Sequence, residues 1–339
     1  MKRKFLSFFL MLFLLFNLCS CKGGQLPEDL GGSVASQEQT VKNPFTGEEI
    51  LKDKEFVRPV AVVINNLNSA QRVQTGIKDA DIVYETLVEG GITRLLAIYK
   101  DINKAGMLGS IRSARVVFAG LAMSHGAIFV HHGIDPNYAA DYVRKNNITD
   151  FDTNKKPFSS FAFRKNNGMN SEHTVYTSPE LLTEGFNKTD ITLTDNINNP
   201  WCSFSEETRV PQMGTANEIS VKFSASYVSK FVYDQETGFY TKNSVKANNK
   251  DYVTSQPYIF KNVFVLKTDI SFYPDGSHRK IALNGGEGYY ISAGGYEKII
   301  WQKSEGAPIK FFTPDGKELK VNMGKSWVCI TESREPQIQ

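Results

Sequence analysis

The sequence lacks the groups that usually announce a chemistry. Four cysteines and five histidines are spread over 339 residues. There is no Cys-x-x-Cys pair, no His-Glu-x-x-His helix, no Asp-x-Asp-x-Asp-Gly loop, no Gly-x-Ser-x-Gly elbow and no phosphate loop, so no metal, serine-hydrolase or nucleotide signature is present. An excess of one charge is missing as well. The net charge of +3 comes from Lys2, Arg3 and Lys4, and beyond them 36 basic side chains face 36 acidic ones. Nucleic-acid binding needs clustered cations that displace counterions, and a balanced chain has no global pull of that kind. Apolar residues at 41% and charged residues at 22% are ordinary globular values and exclude a disordered chain.

One apolar run stands out, from Phe5 to Leu18, broken by Ser7 and Asn17. It follows a basic start and falls short of the roughly 20 apolar residues of a membrane-spanning helix. Residues 1–20 therefore read as a secretory signal peptide. Its end, Leu18-Cys19-Ser20-Cys21, resembles a bacterial lipobox, with Cys21 as the lipidated first residue of the mature chain and Cys19 in a slot more often held by Ala, Ser or Thr. An uncleaved anchor or plain secretion is the alternative. Residues 21–42, rich in Gly, Ser, Gln and Glu, read as a flexible tether. The expectation is an extracytoplasmic protein, lipid-anchored to the cell membrane, remote from ATP and NADH pools. No cofactor and no metal is called for. Cys202 and Cys329 could pair in an oxidising compartment or serve as small core residues.

The remainder divides in two. Residues 43–187 alternate strands and helices. Arg58–Asn66 is β-branched and apolar on both faces, which predicts a central strand covered on both sides. Asp81–Gly90 could be strand or short helix, and Ile92–Asp101 is a buried strand. Val116–Gly126 has helical spacing, with Ser110 or Ser113 as its expected cap and Gly126 as its end. Ala127–Gly133 is the next strand, Pro136 opens another helix, and Ser178 with Pro179 starts a third. Residues 188–215 read as a linker. Residues 216–333 change grammar to short β-branched and aromatic runs split by turn signals at Thr237-Gly238, Asp275-Gly276, Gly285-Gly286, Gly294-Gly295 and Asp315-Gly316. The fold class is α+β: an N-terminal mixed α/β layered domain followed by a C-terminal, mostly antiparallel β domain.

Several stretches together resemble the YerB-like bacterial lipoproteins, a family defined by a domain of unknown function. They are Asn43-Pro44-Phe45-Thr46-Gly47, Arg58-Pro59-Val60-Ala61-Val62, Asp79 to Glu85, Glu89-Gly90-Gly91-Ile92-Thr93-Arg94, Ile111-Arg112-Ser113-Ala114-Arg115, His131 with Gly133, and Gly324-Lys325-Ser326-Trp327-Val328. The likeness spans Asn43 to Ile330. It implies the same two-part architecture and no established reaction. The sequence departs from the family pattern at Val73 and Ser110, where proline is usual, and at Glu172-His173-Thr174, where Pro-His-Asn is usual.

The candidate site lies between Glu85 and Gly133, where able side chains sit among apolar runs. Arg94, Arg112 and Arg115 stand near strand or helix starts, suited to a carboxylate or phosphate. They could equally brace the fold by pairing with Glu85, Glu89 or Asp81. His131-His132 lie at a strand end, where α/β folds gather ligands, but adjacent strand residues point apart and only one faces a given cleft. His125 sits at a helix end, where the dipole favours a cation. The expected ligand-binding set is Arg94, Arg112, Arg115, His131 and Glu89, with His131, Glu85 and Glu89 the candidates for any catalytic role. The leading reading is binding of an anionic cell-envelope ligand, either a cell-wall component or a small anion. The others are a cell-wall-directed hydrolase or transferase in the same cleft, and a structural partner of envelope proteins.

Overall fold

The strand nearest the C-terminus of the central sheet lies in its middle, beside strands from the first half of the chain. A computed structural model describes residues 39–195, 200–244, 249–332 and 334–339. The expected signal peptide, Cys21 and nearly all of the tether fall outside them. The central sheet has eleven strands. Ser326–Thr331 runs parallel between Asn262–Lys267 and Ile82–Leu87, with Cys329 opposite Glu85 and Ile330 opposite Thr86. From Ile82–Leu87 the sheet continues antiparallel to Thr93–Tyr99 and then to Val60–Asn65. Two parallel strands, Ile128–His131 and Asp150–Asp152, complete that side. On the other side Gly285–Ser292 and Gly295–Gln302 form an antiparallel hairpin beside Asn262–Lys267. The C-terminal half thus does not close on itself but joins the N-terminal strands edge to edge, giving a mixed α+β fold.

Alternation explains the layers. Val60, Val62 and Ile64 enter one core, Ala61 and Val63 the other, and all are essentially inaccessible, as an all-apolar strand requires. The first core packs the sheet on a second, five-stranded antiparallel sheet that includes Glu218–Lys222, Val228–Asp234 and Phe239–Ser244, and on helix α3, Pro179–Lys188. The second core takes helices α1, Val116–Ser124, and α2, Ala139–Lys145, together with Trp201. Trp201 meets Phe264 and Phe311 edge-on at 5.6 and 5.3 Å, and its indole N–H donates to Phe45 O. Part of the expected linker is therefore core. Cys202 and Cys329 are free, buried, and in different cores.

Local signals hold in some places and fail in others. Ser178 caps α3, accepting from Leu181 N at 3.3 Å, with Pro179 behind it. Gly126, at φ 62, follows the end of α1. The α1 start has no side-chain cap. Ser113 Oγ donates to His132 O instead, and Ser110 is buried against Asn65. Three backbone N–H groups, from Asn137, Tyr138 and Ala139, converge on the Asp135 carboxylate, so Asp135 rather than Pro136 organises the start of α2. Gly286 and Gly288 lie within a strand, not a turn: a Cβ there would sit 2.5 Å from Lys267 O and 2.4 Å from Val265 O.

His125 stands at the end of α1 as expected, but not as a cation. It is 9% exposed, its Nε2 is 2.9 Å from Tyr84 OH, and the Phe45 ring packs against it. Burial, with Lys303 adding repulsion, pushes its pKa down to about 3. The native state holds this imidazole neutral while the unfolded chain protonates it near the ordinary 6.5. Its contribution is therefore present above pH 6.5 and fades as pH falls toward 3, by roughly 1.4 kcal/mol per pH unit. In urea unfolding, the stability advantage of wild type over His125→Gln should shrink by about 2 kcal/mol between pH 7 and pH 5. A gap that does not change with pH would contradict the buried neutral histidine.

Candidate functional site

The parallel strands of the central sheet all end on one edge, and the segment Ser110–Arg115 is laid across it. Asn65 N donates to Ser110 O at 2.9 Å, Arg112 N to Val63 O at 3.0 Å, His132 N to Arg112 O at 3.1 Å and Ala114 N to Gly133 O at 2.9 Å. These bonds fix Arg112 and Arg115 beside the ends of Val60–Asn65 and Ile128–His131. Arg94, which starts the antiparallel neighbour strand and faces Asn65 in register, reaches the same edge.

Each arginine has a different fate. Arg115 forms a fork with Glu89, Nε to Oε1 at 2.6 Å and Nη2 to Oε2 at 2.8 Å, and gives Nη1 to Ala114 O. Burial would raise the Glu89 carboxyl, but this fork, with Arg94 beyond it, outweighs burial and holds the pKa below its ordinary value. Arg112 donates Nη1 to Glu172 O at 2.8 Å and lies 3.5 Å from the half-exposed Glu172 carboxylate, while its buried Nε has no partner. Arg94 is 5% exposed and makes one hydrogen bond, from Nη1 to Ser113 O at 2.6 Å. Among the described residues no carboxylate pairs with it. Burial and then the neighbouring Arg115 pull its pKa down to about 9; Glu89 opposes them, and Arg112 adds a smaller downward push. A buried cation held by a carbonyl and pressed by two others has an unmet demand for negative charge.

Glu85 is not part of this group. It is 1% exposed and points into the core beneath the second sheet. Its carboxylate accepts from Asn66 Nδ2 at 3.0 Å, Thr93 Oγ1 at 2.9 Å, Ser229 Oγ at 2.7 Å and Trp327 Nε1 at 3.1 Å. Buried Lys242 lies above the Trp327 ring, 5.1 Å from its centroid; burial lowers its pKa and Glu85 opposes that. Glu85 is a junction between the two halves, with no access to a surface ligand.

The histidine pair splits as strand geometry demands, with the opposite member facing the opening. His131 is fully buried; its Nδ1 lies 2.8 Å from Gly133 O and its Nε2 contacts Asp150. It does not join the arginines. His132, with Nδ1 3.1 Å from Thr153 Oγ1, lines a cavity of about 180 Å³ with Asn154, Ser159 and Arg164. Burial, and then Arg164, lower the His132 pKa. Strand alternation could have identified His132, but Arg164 sits in an aperiodic segment and gave no signal. His173 ties that segment to the sheet: its Nδ1 is 2.7 Å from Asn65 Nδ2 and its Nε2 3.1 Å from Glu172. On the far side the turn at Tyr273–His278 docks by stacking Tyr273 on Tyr138 at 4.1 Å and setting His278 Nε2 3.4 Å from Asp135 and 3.9 Å from Glu89. Among the described residues no group of three or more His, Cys, Asp or Glu side chains is arranged to hold a metal ion.

Comparison with known proteins agrees across both halves. Residues 45–192 match the family described as "Protein of unknown function (DUF3048) N-terminal domain", and residues 219–328 match its C-terminal domain. The chain is 30% identical over 341 aligned residues to "Putative lipoprotein YerB" of Bacillus subtilis (strain 168), covering 97% of this chain and 95% of that protein. The crystal structure of YerB protein from Bacillus subtilis is similar with a TM-score of 0.77 and 28% identity, covering 88% of this chain and 99% of that one.

Proposed function

We propose that this chain, which belongs to the DUF3048 family across both of its domains, is a lipid-anchored extracytoplasmic protein that binds an anionic cell-envelope ligand over Arg94 and Arg112. Two lines support the location. Leu18-Cys19-Ser20-Cys21 follows a short apolar run after a basic start, and the Bacillus relative is named as a lipoprotein. Among the described residues no helix is long and apolar enough to cross a membrane.

One observation carries the ligand reading: Arg94 is buried at the carboxyl edge of the sheet and, among the described residues, forms no ion pair with a carboxylate. Arg112 beside it is only partly satisfied, and Glu89 is already committed to Arg115. An incoming carboxylate or phosphate would supply the missing counter-charge and receive forked N–H donors. Arg164 adds a further cation in the neighbouring cavity that His132 lines. Glu85 and His131, locked in the interior, take no part in this reading.

Thermal-shift titration with anionic cell-wall fragments should stabilise the wild type, and Arg112→Ala should weaken the apparent affinity by about tenfold or more, roughly 1.4 kcal/mol. Fragments that shift neither protein, or both equally, would defeat the reading. The anchor has its own test: Cys21→Ala should leave the precursor unprocessed or move the protein out of the membrane fraction. An unaltered mature mass and an unaltered membrane fraction would refute the anchor.

A further inference from the structure

A cavity of about 340 Å³ opens between helices α1 and α2 and the C-terminal segments that carry Tyr273, Arg279 and Lys303. None of the arginines of the carboxyl edge lines it, although Val116, which follows Arg115, does. Its floor is apolar, with Val117 from α1 and Ile281 from the C-terminal half. Tyr142 and Tyr273 supply aromatic walls. The volume lies in the range of small-molecule sites, about 300–1,000 Å³, and the lining divides between apolar side chains, Val116 and Leu283 among them, and polar ones from Arg279, Asn284, Lys303 and Glu305.

The polar groups are unbalanced. Arg279 rests its guanidinium 4.0 Å from the Phe272 ring centroid, and its buried Nε has no hydrogen-bond partner. Among the described residues no carboxylate forms an ion pair with it. Lys303 donates to Ser304 O at 3.2 Å, and burial lowers its pKa against the pull of Glu305. Glu305 is the one carboxylate in the lining, so two cations face one anion and the cavity carries a formal surplus of one positive charge. That surplus matches a monoanion better than a phosphate ester. The planar Arg279 fork suits a carboxylate, while the valine, isoleucine and tyrosine surfaces suit an aliphatic or aromatic body.

We propose that this cavity binds a small amphiphile ending in a carboxylate, such as the C-terminal residue of a peptide with an apolar side chain. Arg279 grips the carboxylate, Lys303 adds charge, and the side chain lies between Tyr142 and Tyr273. The ligand would bridge the helices of the first half and the turn of the second.

Calorimetric titration of the full-length chain in detergent with N-acetyl-phenylalanine and with its C-terminal amide tests this directly. The acid should bind, with the amide at least tenfold weaker. Arg279→Gln and Lys303→Gln should each weaken the acid at least fivefold, while Lys310→Gln, an exposed cation outside this cavity, should leave it unchanged. The pair of variants guards against one substitution perturbing the fold, and both variants leave Arg94 and Arg112 intact, which keeps the outcome separate from the carboxyl-edge reading. Equal binding of acid and amide, binding by neither, or full affinity in both Arg279→Gln and Lys303→Gln would overturn the proposal.

Discussion

The structure depends on one pairing: Ser326–Thr331 inserted, parallel, between Ile82–Leu87 and Asn262–Lys267. The last long strand of the chain fills the middle of the sheet, so neither half can present a complete surface alone. The pairing joins residues about 244 apart in sequence, as in Cys329 opposite Glu85, and such non-local contacts form late and at a high loop-closure cost. What repays that cost lies on the two faces of the inserted strand. Trp327 and Cys329 enter one core, Val328 and Ile330 the other, each burial contributing roughly 1.5–3 kcal/mol for the larger side chains. Glu85 then receives bonds from both halves at once, Asn66 and Thr93 on one side, Ser229 and Trp327 on the other. A buried carboxylate with four donors tolerates no slip in register, because a shift would strand its charge.

The carboxyl edge is set within the first half, by the parallel strands Val60–Asn65 and Ile128–His131. Aligning the parallel strands brings their ends together, and the Ser110–Arg115 segment is held across them by backbone bonds. Those bonds place Arg112 and Arg115 there, and the pairing of Thr93–Tyr99 with Val60–Asn65 brings Arg94 to the same edge. Glu89 forms its ion pair with Arg115 and only a longer-range attraction reaches Arg94. The turn at Tyr273–His278 reaches this edge from the second half: the two-stranded hairpin of Ile270–Phe272 and Arg279–Ile281 that carries it follows Asn262–Lys267 in the chain, and the turn docks on Tyr138 and Asp135. The cavity beneath Arg279 exists only where the two halves meet.

Local physics made part of this legible. The apolar run Val60–Ile64 within Arg58–Asn66 announced a strand covered on both faces, and Ser178-Pro179 announced a helix start, because each signal is complete within a few residues. The insertion of Ser326–Thr331 had no such signal. A buried parallel strand and a buried antiparallel strand look alike in sequence, and turn spacing in the C-terminal half pointed to a self-contained β domain. Ser113 resembled a helix cap, yet its hydroxyl was drawn to the His132 carbonyl by the crossing segment. Of the candidate site, the gathering of Arg94, Arg112 and Arg115 was readable as residue type and spacing. That Glu85 would be claimed by Trp327 and Ser229, and that His132 rather than His131 would face the opening, depended on partners from distant sequence.

The central claim is that both halves form one cooperative sheet. Native-state amide hydrogen exchange read by mass spectrometry tests it most directly, in peptides covering Ile82–Leu87 and Ser326–Thr331. Both segments should open with the same free energy, equal to that of global unfolding, and both should follow denaturant with the full slope. Exchange of Ser326–Thr331 through a cheaper opening, with Ile82–Leu87 still protected, would show two separable domains and contradict the account.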